Sequence, residues 1–176
     1  EVMGRTAGWI ALYAGIAGGA DCIVIPEIPY SPDAFVEKIK KRQENGKDFT
    51  LVIVAEGAKP TWEHNPNEEI STSKKFISGK ASHLLASYIQ DRIDAECRVT
   101  VLGHVQRGGS PAPFDRLLAS RYGVAAVDLI ANNQWGHLVT LQNWSMVPVP
   151  LKDVAGSPRE IDSKEDLVAM ARKLGI

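Results

Sequence analysis

The sequence predicts an α/β fold with a mostly parallel sheet, and three observations carry that prediction. Helical and strand-like patterns alternate along the chain. Two of the strand-like runs, 21–25 and 49–55, are almost continuously apolar, as strands covered on both faces are. A third run, 99–102, stops abruptly at Gly103 and gives way to a glycine-rich loop carrying His104 and Arg107. In open α/β sheets, ligands bind at the carboxyl ends of the strands.

Composition narrows the class. The 176 residues suffice for one ordinary domain and its core. Hydrophobic residues make up 44% and charged residues 23%, a globular balance. A net charge of -1 gives no reason to expect nucleic acid or a membrane surface as a partner. No apolar run approaches the ~20 residues needed to span a bilayer. Cys22 and Cys97 show no metal-like spacing, and each lies in or beside an apolar strand. They read as buried free thiols, and without a secretory signal a cytoplasmic location is expected. The chain opens Glu1-Val2-Met3-Gly4-Arg5 with no lead-in, which suggests a piece of a longer protein.

Residues 6–18 are apolar nearly all round, which suits a buried helix, and Gly18-Gly19 stops it. Strand 21–25 follows. Ser31 is placed to cap the next helix, with Pro32 at its first position. Phe35, Val36 and Ile39 form its inner stripe, and Asn45-Gly46 ends it. Strand 49–55 delivers Glu56 to its carboxyl end. That carboxylate is a site candidate by position, with a capped or salt-bridged loop acid as the equal alternative. Residues 58–78 form a polar excursion too long for an ordinary βα loop, either a lid or an insertion, with Trp62 and Phe76 as anchors.

A helix resumes near Gly79, with Ala81, Leu84, Leu85, Tyr88, Ile89 and Ile93 at amphipathic spacing. His64, His83 and His137 have no partner at metal spacing and read as ordinary histidines. Beyond the glycine loop, a helix over 115–132 has Leu117, Leu118, Val124, Val127, Leu129 and Ile130 as its apolar surface. Residues 136–141 read as a strand, and 145–151, with two prolines, as an extended edge or linker. Ser163 is placed to cap a last helix with Leu167, Val168, Met170, Ala171 and Leu174 inside.

Arg5, Arg98, His104 and Arg107 fall near predicted strand ends. Guanidinium groups bind phosphate oxygens in forked pairs and keep their charge, and glycines let the backbone approach a ligand. Glu56 is suited to accept sugar hydroxyls. A phosphorylated, polyhydroxylated small molecule fits this set. The P-loop, dinucleotide, serine-hydrolase and zinc-protease motifs do not occur.

Glu1-Val2-Met3-Gly4-Arg5, Ala14-Gly15-Ile16-Ala17-Gly18-Gly19, Ile25-Pro26-Glu27, Val54-Ala55-Glu56-Gly57, Leu102-Gly103-His104-Val105-Gln106-Arg107-Gly108-Gly109-Ser110-Pro111 and Phe114-Asp115-Arg116 resemble, in order, the carboxyl-terminal part of the 6-phosphofructokinase family. The resemblance implies a three-layer α/β/α substrate lobe with a mostly parallel sheet. It implies a fructose 6-phosphate-binding lobe over 1–106, a segment over 107–155 that packs with a donor-binding lobe, and a return to the substrate lobe over 156–176. It also implies roles. Met3 and Gly4 line the sugar pocket, and Arg5 stabilises the transferring phosphoryl group as the catalytic residue. Glu56 holds sugar hydroxyls. His104 and Arg107 hold the sugar phosphate, and Arg98 reaches that phosphate across a subunit boundary in a homo-oligomer, a dimer or tetramer.

The reaction implied is transfer from ATP or pyrophosphate to the 1-hydroxyl of fructose 6-phosphate, in glycolysis. Mg2+, the donor site and the catalytic aspartate are expected in an amino-terminal half outside this chain, so the chain alone is expected to be inactive. The sequence departs from allosteric bacterial members at 44–48, where Glu44-Asn45-Gly46-Lys47-Asp48 stands in place of several cations, and the excursion after Glu56 is longer. The alternative is a non-catalytic module of the same fold that senses a sugar phosphate.

Overall fold

The computed structural model describes residues 1–61, 79–156 and 158–176. Most of the 58–78 excursion, with His64, Trp62 and Phe76, lies outside the described residues. The chain divides into two compact units, Glu1–Arg107 with Arg159–Ile176, and Gly108–Pro158.

The first unit contains α1 (Trp9–Ala17), β1 (Cys22–Val24), α2 (Pro32–Glu44), β2 (Val52–Val54) and α3 (Lys80–Gln90). A later helix, α6 (Asp166–Lys173), returns to it. β1 and β2 pair in parallel, Cys22 with Val52 through Val24 with Val54. Val2 bridges Ala55 in the same sense, extending the sheet beyond β2. Side chains on strands alternate faces. Val24, Val52 and Val54 therefore pack with Tyr30, Val36, Ile39, Leu85 and Ile89 from the α2–α3 side. Ile23, Ile25, Ile53 and Ala55 pack with Ala11, Leu12, Val168 and Ala171 from the α1–α6 side. The result is three layers, helices on both faces of a parallel sheet, which explains why both strands are apolar throughout.

Four local readings change. The 49–55 run does not pair along its whole length: Phe49 is 75% exposed and Leu51 44%. The ladder to β1 begins only where the Leu51 carbonyl accepts the Asp21 and Cys22 amides. Residues 99–102 form no ladder. Among the described residues, only Glu1 lies beside them, its amino group donating to the Thr100 carbonyl and its carbonyl accepting the Leu102 amide. Ser163 does not cap α6, which begins three residues later with Glu165 at the cap position. Ser31 does hold the cap position of α2, but its hydroxyl makes no capping bond.

The second unit contains α4 (Pro113–Ala131), β3 (His137–Gln142), β4 (Ser145–Pro150) and the short α5 (Leu151–Val154). β3 and β4 form an antiparallel hairpin, His137 opposite Pro150 and Gln142 opposite Ser145. The 145–151 stretch is thus a paired strand and not a linker. Both strands of a two-stranded hairpin are edges, so Pro148 and Pro150 are tolerated. α4 starts at Pro113, and Asp115 accepts the Ala112 amide in its first turn. Leu118, Tyr122, Ala125 and Leu129 are half-buried, at spacings that put them on one face. Leu117, Val124, Val127 and Ile130, on the other side, are 53–64% exposed.

Among the described residues, no helix is long and apolar enough to cross a membrane.

Candidate functional site

Three separate segments of the first unit meet at the carboxyl side of the sheet. The first is the Met3-Gly4-Arg5 turn, which leaves the Val2 bridge and leads into α1. The second is Glu56-Gly57, directly beyond the end of β2. The third is a single 3₁₀ turn, Gly103–Arg107, at the end of the 99–102 segment.

Backbone bonds lock the first two together. The Glu56 amide donates to the Val2 carbonyl at 3.0 Å, and the Gly57 amide to the Gly4 carbonyl at 3.1 Å. A side chain at 57 would not fit: a β-carbon there would sit 2.0 Å from the Arg5 carbonyl oxygen. Gly4 has φ 147°, and a β-carbon there would lie 2.9 Å from the Ala7 carbonyl oxygen. Both glycines are thus required by close backbone approach. The half-buried Glu56 accepts the Gly4 amide on Oε1 at 3.4 Å, and its carboxylate therefore lies against the turn that carries Met3 and Arg5.

The third segment joins through Gln106. Its Oε1 accepts the Met3 amide at 3.1 Å, and its Nε2 donates to the Gly103 carbonyl at 2.9 Å. His104 and Arg107 lie on the same turn, both exposed. Among the described residues, neither side chain has a hydrogen-bond or ion-pair partner. Two cationic or polar side chains with free donors, facing solvent beside a carboxylate and two glycines, can take an anionic ligand that also carries hydroxyls.

Arg98 stands apart. It precedes the 99–102 segment, whose far end carries the turn with His104. Its guanidinium pairs instead with Glu96 at 2.8 Å, with both side chains largely exposed.

Two carboxylates that the sequence did not single out hold the frame behind the site. Glu27 accepts the Gly8 amide, at 3.0 and 3.1 Å, and the Ile161 amide at 3.0 Å. It thus caps α1 directly after the Met3–Arg5 turn and pins the returning segment beside it, an N-terminal anion where the helix dipole favours one. Glu1 accepts the Gly79 amide and both the amide and hydroxyl of Ser82, and so caps α3 in the same way. Neither follows the usual local cap spacing, because each reaches a helix distant in sequence. Burial raises the thiol pKa of Cys22 and, at a shallower position, that of Cys97; both are free cysteines. Cys22 is buried as expected, whereas Cys97 is only half-buried.

A groove of about 280 Å³ lies elsewhere in the first unit, along the outer edge of β1 between α2 and α6. Ile23, Phe35, Val168 and Ile176 line it, and no candidate residue does. Among the described residues there is no group of three or more histidines, cysteines or acids able to hold a metal ion.

Comparison with known proteins agrees with this geometry. Residues 1–130 match the family model for phosphofructokinase. The ATP-dependent 6-phosphofructokinase of Chloroflexus aurantiacus is 45% identical over 176 residues, covering 100% of this chain and 48% of that protein. ATP-dependent 6-phosphofructokinase 1 of Nostoc sp. is 47% identical over 180 residues, with 100% and 49% covered. The chain therefore spans about half the length of the curated relatives it matches. Among solved structures, Pichia pastoris phosphofructokinase in the T-state superposes with a TM-score of 0.67 at 31% identity, over 98% of this chain and 16% of that one. The pyrophosphate-dependent phosphofructokinase of Nitrosospira multiformis superposes with a TM-score of 0.72 at 22% identity, over 92% of this chain and 40% of that one, a likeness of fold. A three-layer sheet whose strand ends gather Met3-Gly4-Arg5, Glu56-Gly57 and the 103–107 turn, in a sequence matched by that model from its first residue, places this chain in the phosphofructokinase family.

Proposed function

We propose that this chain supplies the fructose 6-phosphate side of a 6-phosphofructokinase, which transfers a phosphoryl group from ATP or pyrophosphate to the sugar's 1-hydroxyl. The observation that carries the reading is the meeting of three strand-end segments at Met3 and Gly4, whose successive amides are held by Gln106 and Glu56. His104 and Arg107 then grip the 6-phosphate, and Glu56 accepts sugar hydroxyls. Met3 and Gly4 form the pocket floor, and Arg5 faces the phosphoryl group in transit. Fixing the sugar at two ends holds its 1-hydroxyl in line with the donor, and Arg5 offsets charge as it develops.

Arg98 belongs to the phosphate site of a neighbouring subunit in this reading. Its exposed side chain, paired with the likewise exposed Glu96, suits that role. A homo-oligomer in the cytoplasm follows. The Gly108–Pro158 unit packs with a donor-binding lobe, which would cover the exposed stripe of α4. In this reading the chemistry also needs Mg2+. The ion that this chemistry uses would be bound by the donor and by residues outside this chain, so no step assigned here runs through it.

A thermal-shift titration with fructose 6-phosphate tests the site. The melting temperature should rise with ligand, and Arg107→Ala and His104→Ala should remove the rise; an unchanged response in both variants would overturn the assignment. Incubated with fructose 6-phosphate, Mg2+ and either donor, this chain alone should form no bisphosphate. Turnover by the full-length protein separates the enzyme from a sugar-phosphate sensor of the same fold.

A further inference from the structure

The 103–107 turn has a weakness. It is five residues long and buries none of its side chains. Val105 is 74% exposed, and His104 and Arg107 are exposed as well. Among the described residues, buried apolar packing therefore contributes little to where this turn sits. Gly103 and Gln106 are its half-buried members, and the Gln106 side chain spans 103 positions of sequence to bond the Met3 amide.

We infer that Gln106 is a positioning residue that holds the His104–Arg107 turn at a set distance from the Met3–Gly4 turn, so that both ends of one ligand are met at once; the inference rests on the fructose 6-phosphate reading above. The orientation of its amide is determined by its two partners. Oε1 faces an N–H, at Met3, and Nε2 faces a carbonyl, at Gly103. Flipping the amide would set donor against donor and acceptor against acceptor. Glutamate lacks the donor and adds a negative charge beside the phosphate site. Methionine fills the same space with neither bond. Asparagine is one methylene short of spanning from Gly103 to Met3. Only glutamine serves both contacts at this reach. Glu56 takes the next amide, that of Gly4, from the opposite strand end. The Met3–Gly4 turn is thus gripped from two sides, and the Gln106 grip is the one that also carries the phosphate-binding side chains.

This arrangement makes a distinction that a merely structural residue would not. Inorganic phosphate needs only His104 and Arg107, which remain on one turn whatever Gln106 does. Fructose 6-phosphate needs that turn and the Met3–Glu56 side in register. Gln106→Met should therefore weaken fructose 6-phosphate binding about tenfold while changing inorganic phosphate binding less than about twofold. Calorimetric titration of the protein with each ligand reads both numbers. Equal weakening of the two ligands, or no weakening of either, would overturn the inference. If Gln106→Met does not fold, Gln106→Asn keeps an amide and is read by the same paired titration. The wild type and Arg107→Ala complete the set. A wild type that does not bind fructose 6-phosphate, or an Arg107→Ala variant that binds it unchanged, refutes the functional reading and this inference with it. Intact wild-type binding with an indifferent Gln106→Met refutes this inference alone.

Discussion

The two compact units use similar apolar residues to different effect. In the Glu1–Arg107 and Arg159–Ile176 unit, helices on both faces of a parallel sheet build two clusters of buried side chains, one against α2 and α3, the other against α1 and α6. In the Gly108–Pro158 unit no described residue is buried, although α4 is apolar on both sides. One side of α4 has a partner in its own hairpin. The other carries Leu117, Val124, Val127 and Ile130 into the open. A residue's type states what it tolerates; burial depends on whether the chain supplies an opposing layer. The first unit supplies two such layers and so can hold its strand-end site rigidly. The second supplies one.

Paired truncations test that contrast most severely. Leu85→Ala, at a side chain only 2% exposed, should cost about 2–5 kcal/mol in urea unfolding. Leu117→Ala, at 62% exposure, should change stability by no more than ~0.5 kcal/mol. Equal costs would mean that the outer face of α4 is covered in solution and that the contrast fails.

Glycine replacements give opposite signs. Gly57→Ala should destabilise by roughly 1–3 kcal/mol, because the new β-carbon meets the Arg5 carbonyl and backbone must move. Gly123→Ala, inside α4 with nothing near its β-carbon, should stabilise by about 0.5–1 kcal/mol. Thermal melts of the two variants read the signs directly.

Alkaline pH should act on the first unit through Tyr30. Burial pushes its pKa from 10.0 up to about 12, and its hydroxyl has no hydrogen-bond partner among the described residues. The folded state therefore holds this proton more tightly than the unfolded state. The associated stability is fully present below pH 10 and is lost as pH rises towards 12. Tyr30→Phe should flatten that loss and be near neutral at pH 7, as measured by denaturation across pH 8–12. An unchanged alkaline slope in the variant would remove Tyr30 from the account.

The smallest effect belongs to the exposed pair. Glu96→Ala, which frees Arg98, should alter stability by less than ~1 kcal/mol. A larger change would tie Arg98 to its own chain and weaken its assignment to a neighbour.

Much of the first unit was legible from periodicity. Its strands are short apolar runs, its helices have stripes, and Asn45 and Gly18 end helices as expected. Strand ends proved harder. Phe49 belongs to an almost continuously apolar run, but pairing depends on which backbone lies alongside, and sequence does not state that. The prolines of β4 leave an edge strand and a linker open, and only the pairing with β3 decides for the edge strand. At the site, His104, Arg107 and Glu56 were legible because strand ends before glycines are recognisable places for ligands. Gln106, Glu27 and Glu1 were not assigned roles. Each bonds a backbone amide far away in sequence, so no local pattern marks it. Arg98 pairs with the exposed Glu96, and its assignment across a subunit boundary rests on the family resemblance.

The central claim is that the first unit holds the sugar-phosphate site. An amide-resolved NMR titration of this chain with fructose 6-phosphate tests it most directly. Saturable shifts are expected at Met3, Gly4, Glu56, His104, Gln106 and Arg107, with the amides of α4 and the β3–β4 hairpin unmoved. Shifts confined to the second unit, or no saturable shift at Met3 and Arg107, would contradict it.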